Sequence, residues 1–218
     1  GALQQQLVRA KSLASVGEMA AGAAHEMNNP LAIMCGRAQL MAAKLSDPAL
    51  KQDAALIATQ GERLSQIITD MMEFARPQQP RMAAANAETI ATEAVQLAAE
   101  KAATQPAAIR LDVAPNLPPV HADARQIKNA LAELLLNALQ STRGVVGRDP
   151  APVSLQVRFD PLDSQLIFQV TDEGSGMTPD VLTHAFSPFF SAKAAGRNRG
   201  MGLAKALRWV ENHSATIR

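Results

Sequence analysis

Cysteine is almost missing from this chain: Cys35 is the single one among 218 residues. An intrachain disulfide and a cysteine-built metal cage are therefore excluded, and a reducing compartment is the natural setting. Cys35 itself reads as a buried or inert thiol rather than a redox switch. A surplus of either charge is missing too. Lysine and arginine number 21 against 20 aspartates and glutamates, and no dense basic cluster with aromatic residues occurs, so nucleic acid is not an expected partner. Apolar runs long enough to cross a bilayer are lacking, and the opening GALQQQLVRAK is not a signal peptide. The expected location is cytoplasmic, with any membrane-bound sensor region lying outside this sequence.

Glycine and proline are scarce from about Leu7 to Phe74, where Ala, Met, Leu and Gln favour long helices. Leu13, Gly17, Ala20, Ala24, Met27, Leu31, Met34, Ala38, Met41 and Leu45 recur at steps of four and three, a heptad seam. After SDP, Ser46 to Pro48, a second seam runs through Leu50, Ile57, Leu64, Ile67, Met71 and Phe74, interrupted by Asp53 and Gln60. The pattern predicts an antiparallel helical hairpin. One hairpin alone leaves Met- and Leu-bearing surface wet, so two are expected to pair as a four-helix bundle in a homodimer.

The proline-rich RPQQPR, Arg76 to Arg81, stops the second helix and separates domains. The expected organisation is a helical domain over 1–76, a linker over 77–81 and a mixed α and β domain over 82–218. Within the latter, Ala87 to Ala103 reads as a helix and Ala107 to Ala114 as a strand. Asp123 to Thr142 reads as a long helix with Asp123 as its N-cap. PVSLQVRFD and QLIFQVTD, joined by a PLDS turn, read as a strand hairpin that delivers Asp172 at its end. A lid-like stretch, a last helix from about Gly200 to His213, and SATIR as the start of another strand complete the pattern.

The most informative peptide is HEMNNPL, His25 to Leu31, inside the first helix. His25 follows the seam position Ala24, so its imidazole is expected at the flank of the bundle, open to solvent. A nucleophilic imidazole must be neutral at the attacking nitrogen, and the adjacent Glu26 can take the proton or hold the tautomer. Asn29 lies one turn further along the same face and could position a water. Pro30 removes a ladder bond to Glu26 and places a kink under the histidine.

Downstream, Glu133 and Asn137 share one face of the Asp123 helix. There an amide oxygen can ligate magnesium and a carboxylate can orient a water in its shell. DEGSG, Asp172 to Gly176, supplies an acceptor carboxylate, with Gly174 and Gly176 letting the backbone lie close against a planar base. AFSPFFSAK, Ala185 to Lys193, adds an aromatic hinge and a cation. GRNRGMGLA, Gly196 to Ala204, sets glycines at a helix N-terminus, a phosphate site by backbone N–H groups and dipole, with Arg197 and Arg199 nearby. Each piece has a plain structural alternative, but their order and spacing together make coincidence improbable.

These motifs resemble those of the sensor histidine kinases of two-component signalling, across nearly the whole chain. HEMNNPL resembles the family's H box, ELLLNALQS its N box, DEGSG its first glycine box, FSPFF its F box and GMGLA its second glycine box. The resemblance implies an α+β architecture: a dimeric four-helix bundle followed by an α/β-sandwich Bergerat ATP-binding domain under a mobile lid, with the usual last strands absent. It implies ATP and magnesium, His25 as phosphoryl acceptor, and an aspartate of a response-regulator receiver domain as the next acceptor. Asp172 would meet the adenine amino group, Asn137 and Glu133 the metal, and Gly200, Gly202 and Leu203 the phosphates, with the lid over 191–199 carrying Lys193, Arg197 and Arg199. An H-E-x-x-N pattern further implies that Asn29 supports dephosphorylation of the regulator. Gln140 stands where relatives often carry lysine, Asn198 where glycine is common, and Ser214 and Ala215 where a glycine pair is frequent. A Bergerat-type ATPase and a non-catalytic nucleotide-binding scaffold remain the alternatives.

Overall fold

The computed structural model describes residues 26–75, 78–103, 109–142, 153–192 and 200–218, without the side chains of 73–75. It divides into two units, Gly1–Gln78 and Gln79–Arg218. In the first, helix α1 is described over residues 26–44 and runs unbroken through Pro30. Helix α2, Pro48–Ala75, follows after a short turn. The turn works because Asp47 Oδ1 accepts from the Ala49 amide at 2.8 Å, capping α2, while Pro48 occupies the first helical position, where no ladder N–H is needed.

The hairpin closes along only part of the sequence seams, through Leu31 and Ala38, and most of their larger residues stay outside. Leu31, Ala38, Ala54, Ala58 and Ile68 are buried, whereas Met34, Met41, Leu50, Ile57 and Leu64 are 44–58% exposed. Small side chains let the two helices approach closely. The Cys35 thiol lies against Gly61, where a methyl group would collide with it, and donates to the Ala58 carbonyl at 3.6 Å. Ser65 Oγ donates to Asn28 Oδ1 at 2.9 Å and Gln39 to Glu62 at 2.8 Å, tying the helices at further levels. The stripe of larger residues therefore faces away from the partner helix. Phe74, assigned to the second seam, has its side chain outside the described residues, as do Leu13, Gly17, Ala20 and Ala24 of the first.

In the second unit, strands β1, Ala83–Ala85, and β3, Val120–Ala122, pair antiparallel. A separate sheet has the order β2-β4-β5, comprising Ile109–Val113, Val153–Asp160 and Gln165–Thr171. β2 runs parallel to β4, and β4 forms the foreseen hairpin with β5, Val157 opposite Phe168. Period-two alternation turns Val153, Leu155 and Val157 into the core and leaves Gln156 and Arg158 outside. The other core wall is helical. Helix α3, Ala87–Lys101, contributes Ile90, Ala91, Ala94 and Ala98, and helix α4, Ala124–Thr142, contributes Leu131, Ala132, Leu135 and Leu139. The alanines of α3 let it lie close on α4, and helix α6, Gly202–Glu211, packs on α4 as well.

Three elements escaped the sequence: β1, β3 and the short helix α5, Pro179–His184, which Thr178 caps. Strands of three residues and a helix of six carry too little periodicity to register. SATIR, expected to open a strand, takes no part in either sheet of the described residues. Apolar alternation favours a strand only where a paired neighbour completes it.

Candidate active site

Helix α4 is the floor on which the candidate groups meet, and its N-terminus is firmly anchored. The Asp123 carboxylate is buried and accepts from the Gln126 amide at 3.1 Å and the Arg81 amide at 2.8 Å. Burial pushes its pKa up, but those two amides, with the Arg125 charge and amide, outweigh it and hold the carboxyl below its ordinary range. The Asp123 amide donates to His213 Nε2 at 2.9 Å, so the imidazole carries its proton on Nδ1, 2.7 Å from the Trp209 carbonyl. That bond docks the end of α6 on the start of α4.

From this anchor Glu133, Asn137 and Ser141 follow at steps of four, aligned on one face while the intervening leucines enter the core. With 1.5 Å of rise per residue the row is about 12 Å long. At its far end the Ser141 hydroxyl lies 2.7 Å from Asp172 Oδ1, just beyond β5, and the Gly174 amide donates to the same oxygen at 2.9 Å. A methyl group on Gly174 would overlap the Ser141 hydroxyl and lie 2.5 Å from its Cβ. Only glycine fits there. Gly176, at φ 68°, turns the chain away with open space around it.

At the near end Glu133 is held from two sides. Lys101, in the last turn of α3, pairs with Oε1 at 2.9 Å, while Oε2 faces Gly202, the first residue of α6, where an added methyl group would come within 2.6 Å. Gly200, at φ 65°, lies on the backbone of Phe189 and Phe190, with no room for a Cβ. The aromatic loop thereby sets the approach to the α6 N-terminus, and Leu203 sits half-buried in its first turn. Between the two ends stands Asn137, half-buried and without a hydrogen-bond partner among the described residues.

The row thus presents an acceptor carboxylate beside a glycine cradle at one end and a glycine-lined helix N-terminus at the other, with an amide between them. That suits an elongated ligand with a flat donor-bearing head and an anionic tail. Among the described residues no cluster of three His, Cys, Asp or Glu could hold a metal. A magnesium ion would therefore depend on the anionic ligand's own oxygens, with Asn137 and Glu133 as its protein neighbours, which is how this ion commonly binds with phosphates. Sequence reasoning missed Ser141 and Lys101. Ser141 had a signal, its place one turn beyond Asn137; Lys101 had none, since its pairing joins different helices.

In the first unit Glu26 and Asn29 are exposed on α1, while the neighbouring Asn28 is engaged by Ser65. His25, Lys193, Arg197 and Arg199 lie outside the described residues. The His Kinase A (phospho-acceptor) domain matches residues 15–80, and the histidine kinase-, DNA gyrase B- and HSP90-like ATPase domain matches residues 122–218. The chain belongs to the sensor histidine kinases.

Among curated relatives, this histidine kinase chain is 32% identical over 216 residues to the sensor histidine kinase ZraS of Klebsiella oxytoca, covering 99% of the chain and 45% of the relative. It therefore spans less than half the length of that protein. Two solved structures share the fold at 22% identity. Full-length ShkA in complex with AMPPNP has a TM-score of 0.71, covering 90% of this chain and 41% of that one. The histidine kinase ThkA in complex with the response regulator protein TrrA has a TM-score of 0.59, covering 98% and 60%. The phospho-acceptor match contains one histidine, His25, because the others are His121, His184 and His213.

Proposed function

We propose that the chain transfers the γ-phosphoryl group of ATP to His25 and then to an aspartate on a response-regulator receiver domain. The observation that carries this reading is the single histidine in the phospho-acceptor match, set before a carboxylate and in a chain whose second unit matches a histidine kinase-like ATPase domain. Asp172 accepts from the adenine amino group, and Gly174 and Gly176 let the ring lie against the backbone. Gly200, Gly202 and Leu203 receive the phosphates at the α6 N-terminus, with Lys193, Arg197 and Arg199 as further cations. Asn137 and Glu133 serve the magnesium ion and its water, and the ion would offset charge on the transferring group. A neutral nitrogen of His25 attacks the γ-phosphorus, the bond to the bridging oxygen breaks, ADP leaves, and Glu26 takes the imidazole proton.

Residues 1–76 serve as the dimerisation and phosphotransfer domain, 77–81 as linker and 82–218 as the catalytic domain. The homodimer buries the outward residues Met34, Met41, Leu50, Ile57 and Leu64, whose exposed apolar surface asks for a partner. Among the described residues no helix is long and apolar enough to cross a membrane; the likeness to sensor histidine kinases, of whose length the chain spans less than half, supports reading it as the cytoplasmic part of a longer sensor. Asn29, exposed on α1, positions the water that dephosphorylates the regulator.

The test is label transfer from γ-labelled ATP. Acid-labile, alkali-stable label on the wild-type chain that disappears in His25→Ala supports the reading. Rapid phosphate release with no label on protein would replace it with an ATPase. For Asn29→Ala, autophosphorylation should persist while regulator dephosphorylation slows; equal loss of both removes that role.

A further inference from the structure

We propose that Ser141 is a positioning residue for nucleotide recognition: it fixes which oxygen of Asp172 meets the base and so enforces preference for a 6-aminopurine. The inference rests on the assignment of Asp172 to adenine and adds to it the residue that prepares the carboxylate. Asp172 is solvent-exposed, and an exposed aspartate ordinarily samples several rotamers. Here Oδ1 meets two donors, the Ser141 hydroxyl at 2.7 Å and the Gly174 amide at 2.9 Å. A carboxylate oxygen has room for about two in-plane donors. Oδ1 is thereby filled, and Oδ2 is left as the acceptor for a ligand.

The hydroxyl has one proton and two acceptors, because the Ala138 carbonyl also lies 2.7 Å away. The carboxylate wins that competition. A bond to an ionised acceptor is the stronger, and the Ala138 carbonyl lies inside α4, whose ladder already supplies it a partner. Glycine at position 174 is part of the same device, since any Cβ there would displace the hydroxyl. A carboxylate locked by two donors can only accept. It matches the 6-amino group of adenine and repels the 6-oxo group of guanine, which also accepts. The donor that sets this preference sits one helical turn beyond Asn137, so base recognition and the metal-facing amide share one rigid element.

The test compares binding of ATP and of purine riboside triphosphate, which has hydrogen in place of the 6-amino group, to the wild type and to Ser141→Ala, Ser141→Val and Ser141→Thr. Ser141→Ala and Ser141→Val should weaken ATP about tenfold, the lower end for a hydrogen bond to a charged group because Asp172 is exposed. They should leave the analogue's Kd unchanged, and Ser141→Thr should restore ATP binding. Thr and Val have similar bulk, so their difference reads the hydroxyl even if Ala perturbs folding. Equal weakening of both nucleotides would make Ser141 merely structural and overturn the proposal, as would unchanged ATP binding in Ser141→Val. Asp172→Asn separates the two levels of inference. If it binds ATP as the wild type does, the adenine assignment itself fails; if it loses ATP while the Ser141 variants do not, only the Ser141 proposal fails.

Discussion

Gly200 and Gly202 belong to one motif, yet the structure expects opposite consequences when each becomes alanine. Gly200 adopts φ 65°, and a methyl group there would collide with the backbone of Phe189 and Phe190, which cannot swing aside as a side chain can. Left-handed backbone costs a non-glycine residue roughly 1–2 kcal/mol, and overpacking adds roughly 1–3 kcal/mol. Gly200→Ala should therefore destabilise the unit by about 3 kcal/mol, lowering Tm by roughly 10 °C. At Gly202 the obstacle is the Glu133 carboxylate, 2.6 Å from an added methyl group and the free end of a flexible side chain. Moving it loosens a half-exposed pair with Lys101 worth about 0.2–1 kcal/mol. Alanine's better helix propensity returns up to about 1 kcal/mol, so the fold should be neutral to Gly202→Ala. Nucleotide affinity should not be, because the proposed phosphate site lies at this helix N-terminus and the displaced Glu133 carboxylate is a proposed neighbour of the magnesium ion; a loss of tenfold or more, about 1.4 kcal/mol, is expected. Thermal unfolding at fixed protein concentration and titration with a fluorescent ATP analogue read the two effects separately. Equal Tm losses in both variants, or wild-type affinity in Gly202→Ala, would refute the reasoning.

Gly61→Ala should destabilise the hairpin by about 1–2 kcal/mol through its clash with the Cys35 thiol. The same change on a Cys35→Ala background should stabilise it by up to about 1 kcal/mol through helix propensity; denaturant unfolding of the four variants reads the coupling, and additivity would defeat the account. Ile57→Lys, on the exposed stripe, should shift the chain toward monomer in sedimentation while keeping its helical circular dichroism, and an unchanged dimer would place the interface elsewhere. Asp123→Ala should cost about 1–2 kcal/mol at neutral pH by removing the α4 cap. Because the folded carboxyl is held below its ordinary range, that wild-type advantage is full above the unfolded value and shrinks as pH falls through the folded one. An advantage that persists unchanged into strong acid would contradict the capping role.

Much of this chain was legible before folding because its signals are local. A helix cap such as Asp123 acts on amides within a few residues, and a strand hairpin such as Val153–Asp160 with Gln165–Thr171 is written in alternation and a turn. The motif residues Asn137, Asp172, Gly174, Gly200 and Gly202 could likewise be picked out by type and order. The heptad periodicity correctly announced paired helices, but it could not say which apolar stripe meets which partner. That choice depended on how closely Cys35 and Gly61 allow the helices to approach, and it left the larger residues outward.

Sequence alone determined the composition of the two units, the helical hairpin and the residue types able to hold a nucleotide, since period, caps and turn chemistry act over short spans of chain. Tertiary structure decided how those residues are prepared. Ser141 and Gly174 converge on one oxygen of Asp172 from separate elements, and Lys101 crosses from α3 to hold Glu133 beneath Gly202. Contacts between residues 31 or 32 positions apart leave no trace in periodicity, because only the packing of α3, α4 and the β5 end brings them within hydrogen-bonding distance.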